Sequence, residues 1–362
     1  MKFGIFLPNG RNGYIISNAS PQYSPTFEHN KAIAIEAERH GFHMILSMMK
    51  YRGFGGETGF WDECLETFTL MGALAAVTRR VELYPSVTLL AHHPAVVARM
   101  VATIDDISDG RCGLNIVTGW NKPEYTQMGL WRGDDYFEQR YQYAREYVRI
   151  LKQLWRDGTA TCRTEHFTLE DCHCYPRPRH DIPLVSAGQS EAGFQFVAEY
   201  ADESFMIADR WHLKEKVDRL KAAGGRTGRK VGAYALFHII AAETDREASE
   251  LQRQIVDGVD LAAVRNMLGS ASLDSNKGGS SQHHLAGLSR TPQQGHGAFM
   301  STPTICGSYE RVAEELDQIA TESGIDGCLF SFTDFVEGIR SFGERIYPRL
   351  ACTKMVTKAA AV

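Results

Sequence analysis

No apolar run in this 362-residue sequence approaches the ~20 residues that a bilayer-spanning helix requires, so no membrane span is expected. Basic residues are in deficit too. The 39 Lys and Arg against 44 Asp and Glu leave a net charge of -5, which lacks the positive field needed to hold nucleic acid or an anionic membrane surface. The eight cysteines have no regular spacing, which argues against a disulfide framework and suits reduced thiols in a cytoplasmic protein. The opening MKFGIFLPNG carries one Lys and only a short apolar run before Pro8, so it reads as a first strand rather than a targeting peptide.

Several motifs are missing as well. The phosphate-loop pattern G-x-x-x-x-G-K-[ST] is absent. GFGGETG at 53–59 has the wrong spacing for a dinucleotide fingerprint and does not directly follow a strand, which argues against a nicotinamide site of Rossmann type. GQSEAG at 188–193 places Ala192 where a nucleophile elbow needs Gly. Cys172, His173 and Cys174 are adjacent, and neighbouring strand residues point to opposite faces, so no metal site is expected there or elsewhere. A small-molecule partner remains as the expectation.

What is present is a large apolar content, 43%, arranged in a repeat. Strand-like runs lie at 2–7, 42–48, 81–87, 112–118, 182–188, 204–208, 232–242 and 327–332. Most lack polar alternation, as strands covered on both faces do. Helical spacing fills 26–40, 62–78, 94–108, 134–157, 190–200, 211–223, 245–268, 308–323 and 337–350. Eight strands alternating with helices predict an α/β fold, a (β/α)8 TIM barrel built as a single domain over residues 1–362. Two stretches interrupt the repeat. Residues 159–182 read as an inserted hairpin, and residues 269–304, rich in Ser, Gly, His, Gln and Pro, as a mobile lid or disordered loop.

Barrel chemistry sits at the carboxyl ends of the strands, which directs attention to particular residues. Asn115 lies inside strand four, where a buried amide is costly unless paired, either by a ligand or by neighbouring backbone. His92 and His93 follow strand three and either face a substrate or simply precede a helix starting at Pro94. The turn Gly188, Gln189, Ser190 is either an anion site of free N–H groups or an ordinary helix cap. Glu124, Arg140 and Tyr141 carry no signal taken singly.

Longer phrases carry more. SPQYSPTFEHNKAI (20–33), LSMMKYRGFGG (46–56), RMVATIDDISDGRCGLNIVTGWNKPEYTQMG (99–129), GDDYFEQRY (133–141) and SAGQSEAG (186–193) resemble the bacterial-luciferase-like flavin-dependent monooxygenases, most closely the members that open pyrimidine rings. The resemblance runs from Met1 to about Leu350. It implies reduced FMN from a separate NAD(P)H:flavin reductase, dioxygen as co-substrate, a flavin peroxide or N5-oxide as oxidant, and a homo-oligomer. It also implies that Met49, Lys50, Asn115, Glu124, Arg140, Tyr141 and Ser190 contact the flavin, and Gly188 and Gln189 of the same anion turn are expected to join them. Asn115 and Ser86 are the catalytic candidates, Ser86 standing where the pyrimidine-opening members carry Thr. His92, His93 and Trp120 are expected beside the substrate, with the segments 208–213 and 297–309 bordering it. The substrate implied is a nitrogen heterocycle, uracil or thymine first. Riboflavin cleavage to lumichrome is the alternative within the family, and a non-catalytic flavin-binding protein is the alternative outside it.

Overall fold

The computed structural model describes residues 1–275 and 296–353. Eight parallel strand positions close into a barrel. They are β1 (Lys2–Leu7), β2 (Met44–Ser47), a third strand in two pieces, β3 (Glu82–Tyr84) and β4 (Ser86–Thr88), then β5 (Leu114–Val117), β8 (Leu184–Ser186), β9 (Glu203–Met206), β10 (Gly232–Ala242) and β12 (Gly327–Phe332). The hydrogen-bonded circuit runs β3-β2-β1-β12-β10-β9-β8-β5-β4 and closes through the third strand. Pro85 divides that strand. Below it β3 pairs with β2, and above it β4 pairs with β5, Ser86 lying opposite Asn115. Leu83 already bonds to the fourth strand, through the Arg111 carbonyl and the Gly113 N–H, so what ends at Pro85 is the pairing with β2; proline itself has no N–H for a ladder.

The outer ring follows the apolar periodicity: α1 (Phe27–Arg39), α2 (Thr67–Val77), α3 (Pro94–Ser108), α4 (Lys122–Thr126), α5 (Tyr136–Asp157), α6 (Glu191–Tyr200), α7 (Arg210–Thr227), α8 (Asp245–Asp257), α9 (Leu261–Ser272), α10 (Tyr309–Ser323) and α11 (Phe335–Ser341). Helix α5 is typical. Phe137, Tyr141, Ala144, Val148 and Leu151 recur at three and four and are buried, and Gly158 ends the helix at φ 77°, a conformation that suits glycine.

Four features differ from the sequence expectation. The helix expected over 245–268 is two helices, because Asp260 turns back to cap α9, accepting from the N–H groups of Ala262 and Ala263. The short α4 sits in what reads as a loop. The last helix ends at Ser341 and continues to Arg349 as wider and tighter turns. A further strand, β11 (Thr304–Ser308), pairs in parallel with the overlong end of β10, His238 to Ala242. The hairpin is present as β6 (Thr159–Arg163) and β7 (Thr168–His173), antiparallel. Of the loop at 269–304, residues 276–295 lie outside the described residues; 269–272 belong to α9 and 296–299 form a 3₁₀ turn.

Strand pleating decides what faces the barrel interior. Met44, Leu46, Tyr84, Val185, Phe205, Tyr234, Leu236 and Leu329 form an apolar core there, distinct from the larger layer between strands and helices. Gly113 permits the closure. A Cβ at that position would meet the Tyr84 ring at 2.1 Å, so only glycine lets the third strand approach the fourth.

At the amino-terminal end of the barrel Glu203 is largely buried, and one of its carboxylate oxygens has no hydrogen-bond partner. Burial, then the neighbouring Glu82, Asp202 and Asp326 acting against Lys2, pushes its pKa up to about 7. The folded chain therefore binds a proton that the unfolded chain, with an ordinary Glu pKa near ~4.3, has lost, so stability falls as pH rises from that value through about 7. Glu203→Gln is expected to remove this fall and to stabilise the protein by about 2–3 kcal/mol at pH 8, with little effect at pH 4. Denaturant unfolding at the two pH values measures it; equal wild-type and variant slopes with pH would exclude the effect.

Candidate active site

Alternation along β5 sends Leu114 and Ile116 outward to the helices and Asn115 inward at the carboxyl end of the barrel. There it lines a cavity walled by Phe6, Tyr14, Trp61, Phe205 and Leu236. Met49, Lys50, Ser86, Trp120, Arg140, Tyr141, Gly188 and Gln189 line the same cavity. Candidates drawn from five segments of the sequence thus converge.

The polarity of Asn115 is fixed by residues behind it. The Ser86 hydroxyl donates to the Ser47 carbonyl, which can only accept. Its lone pairs are then what it offers to Asn115, so the amide must turn its NH2 group to Ser86, at 2.7 Å. Thr67 holds the Ser86 N–H at 3.1 Å and shares a short hydrogen bond with the Ser47 hydroxyl. Asn115 is 4% exposed and its Oδ1 has no partner. An orphan acceptor this well buried calls for an N–H or O–H from a ligand. Asn9 shows the contrast: its amide donates to the carbonyls of Met48 and Leu65 and accepts from the Met48 N–H, all internal work that pins the loop after β2.

Two buried ion pairs flank the cavity. Lys50 Nζ lies 2.9 Å from Glu124 Oε2, both side chains near 5% exposed, while Glu124 Oε1 accepts from the Tyr51 N–H. The ammonium also sits 4.8 Å from the centroid of the Trp120 ring and 5.2 Å from that of Phe54. Glu124 thus stands behind Lys50 and does not itself line the cavity. Arg140 Nη1 donates to Asp274 at 2.8 Å, and its Nε is buried without a hydrogen-bond partner. Nothing local in the sequence pointed to Asp274.

Ser190 caps α6, its hydroxyl accepting from the Gly193 N–H at 3.1 Å. Gly188 and Gln189 represent that turn at the cavity, and the turn packs closely on Tyr141: a Cβ on Gly188 would lie 2.5 Å from the phenol oxygen.

His92 and His93 are not among the cavity-lining residues. His93 is exposed and caps α3, accepting from the Ala95 N–H. His92 lies behind Tyr51, its Nε2 3.5 Å from the phenol oxygen, and burial lowers its pKa. Met267 from α9, with Met300 and Thr302, completes the wall. The last two fall in the expected substrate-bordering segment 297–309; of the other, 208–213, no residue lines the cavity. The aromatic and aliphatic wall was open to prediction from strand alternation. Met267 and Met300 were not, because they come from outside the barrel repeat.

The donor set fits FMN. Apolar and aromatic walls suit a flat tricyclic ring, the orphan acceptor on Asn115 suits a ring N–H, and the unpartnered Arg140 Nε with the Tyr141 phenol suits a phosphate. Among the described residues the grouping with metal-ligand spacing, Glu146, Glu165 and His166, involves α5 and the hairpin and does not line the cavity. No described helix is long and apolar enough to cross a membrane.

The family model described as luciferase-like monooxygenase matches residues 1–327. The pyrimidine monooxygenase RutA of Acinetobacter baylyi is 46% identical over 352 residues, 96% of this chain and 94% of the relative. RutA of a Bradyrhizobium strain is 48% identical over 353 residues, 96% of each chain. Among solved structures, riboflavin lyase RcaE superposes with a TM-score of 0.83 at 20% identity, covering 96% of this chain and 90% of that one. Long-chain alkane monooxygenase LadA superposes at 0.80 and 19% identity, with the same coverage. The structural likenesses establish the barrel; the family match and the near-complete relatives establish more, and the chain belongs to the luciferase-like monooxygenases, an oxidoreductase family.

Proposed function

We propose that this protein is an FMN-dependent, two-component monooxygenase that opens a pyrimidine ring, uracil or thymine being the nearest substrates. The observation that carries the reading is the orphan Asn115 acceptor at the top of an apolar barrel, in a chain 46–48% identical to pyrimidine monooxygenases over nearly its whole length. Riboflavin lyase is supported only by a fold likeness at 20% identity.

In this reading Met49, Lys50, Asn115, Arg140, Tyr141, Gly188 and Gln189 hold FMN, Glu124 acting through Lys50 and Ser190 through the turn it caps. Reduced FMN, delivered by a separate reductase, supplies with dioxygen the oxidising equivalents for ring opening. The protein binds and orients. Asn115 accepts one hydrogen bond in a fixed direction, and its amide cannot rotate without breaking the Ser86 to Ser47 link. Phe6, Trp61, Trp120 and Phe205 exclude water, which strengthens each electrostatic contact in the cavity. The Lys50 ammonium, neutralised by Glu124, adds a local dipole without net charge.

Incubation under labelled dioxygen with FMN, NADH and a generic flavin reductase tests the reading, with uracil, thymine and riboflavin in separate vessels and products read by mass spectrometry. A ring-opened pyrimidine carrying the label is expected. Lumichrome from riboflavin with no pyrimidine product would overturn the substrate assignment.

A further inference from the structure

The turn at residues 188–190 faces the cavity through Gln189, and the direction of that amide depends on a residue of another helix. Lys216, on α7, places its ammonium 2.6 Å from Gln189 Oε1 and 3.4 Å from the Ile207 carbonyl. An ammonium has three donors and no acceptor, so it can only face the oxygen end of the amide. The NH2 group of Gln189 is left for the cavity that this residue lines.

We infer that Lys216 is a positioning residue: it takes the acceptor of Gln189, so that the turn presents that side chain to the phosphate of FMN as a pure donor. The inference rests on the FMN reading above and deepens it. A second observation points to the same ligand chemistry. Arg140 is 3% exposed, lines the same cavity, and leaves its Nε without a partner. The Tyr141 phenol packs against Gly188 and adds a third possible donor. Donors collected from α5, the turn before α6 and, through Gln189, α7 suit an oxyanion, which accepts only. Without Lys216 the amide of Gln189 is free to turn its oxygen toward the phosphate, which repels it.

Titration of the full-length protein with FMN and with riboflavin, read by flavin fluorescence, tests this. The wild type is expected to favour FMN. Lys216→Met is expected to weaken FMN about tenfold while leaving riboflavin within about twofold. Gln189→Leu is expected to lose a similar factor, and the double variant to lose no more than either single one, because both changes remove one donor. Thermal midpoints establish that each variant is folded, and Gln189→Leu keeps the test open should Lys216→Met unfold. Unchanged FMN affinity in Lys216→Met overturns the inference, as do losses that multiply in the double variant, which would mean that Lys216 acts by its charge alone. A wild type that binds FMN and riboflavin equally would remove the phosphate reading itself. Discrimination by the wild type with an unaffected Lys216→Met removes only the role of Lys216.

Discussion

Asn115→Ala is expected to lower turnover by about 10²–10³-fold, the scale seen when one preorganised hydrogen-bonding group is removed from a reacting centre. FMN affinity should fall far less, since the proposed phosphate contacts, Arg140, Tyr141 and Gln189, lie elsewhere in the cavity. The isosteric Asn115→Asp is expected to fail nearly as badly. A carboxylate would confront the Ser86 hydroxyl with an acceptor, and Ser86 could satisfy it only by releasing the Ser47 carbonyl. Turnover and FMN titration on the same preparations separate the two effects. An Asn115→Ala enzyme with wild-type turnover would remove this residue from the chemistry, and one that loses FMN binding and turnover in equal measure would reduce it to a flavin contact.

Arg140→Met is expected to cost about 3–5 kcal/mol of folding stability and most of the FMN affinity, because Asp274 loses the cation that faces it in a site without solvent. The companion variant Arg140→Met with Asp274→Leu separates these losses. Replacing both members of a buried ion pair with apolar groups is often neutral for stability, so the double variant should regain much of the folding free energy. It should not regain FMN. Urea unfolding and FMN titration of the three proteins measure this, and recovery of FMN binding in the double variant would exclude Arg140 from the flavin site. The pair also bears on the proposed phosphate contact: Nη1 of the guanidinium is committed to a carboxylate, while the buried Nε has no hydrogen-bond partner.

The barrel was legible because its strands are covered on both faces and therefore read as continuous apolar runs, such as GAYALFHIIAA and GCLFSF. Strand β11 escaped because TICGS is short, contains glycine and follows a polar stretch. The break between α8 and α9 escaped because apolar spacing continues across it, while the cause, Asp260, is a capping side chain that also serves Thr58 two hundred residues away. At the site, Asn115 was visible as a polar residue inside an otherwise apolar strand. Asp274 and Lys216 were not, because they meet Arg140 and Gln189 across 134 and 27 residues with no shared local pattern. Ser47 and Thr67 carry no signal of their own in a strand and a helix start. The family resemblance supplied expected contact positions, but which end of an amide faces a ligand is a matter of the neighbours, and only the folded chain brings those neighbours together.

The break at Pro85 bears on how this pocket could be redesigned. Because pairing with β2 ends there, the Ser86 N–H turns to Thr67, while the Pro85 carbonyl holds the Asn115 N–H at 2.9 Å. A library that randomised the apolar wall but kept Ser86 and Asn115 would vary size and shape while leaving the hydrogen-bonding sense of Asn115 as it is, since the link from Ser86 to the Ser47 carbonyl sets that sense from behind the wall. Conversely, a change at Thr67, whose side chain holds the Ser86 N–H, would be expected to alter ligand preference without touching any ligand, and a selection for new substrates would find such positions only when the residues behind the wall are opened to variation.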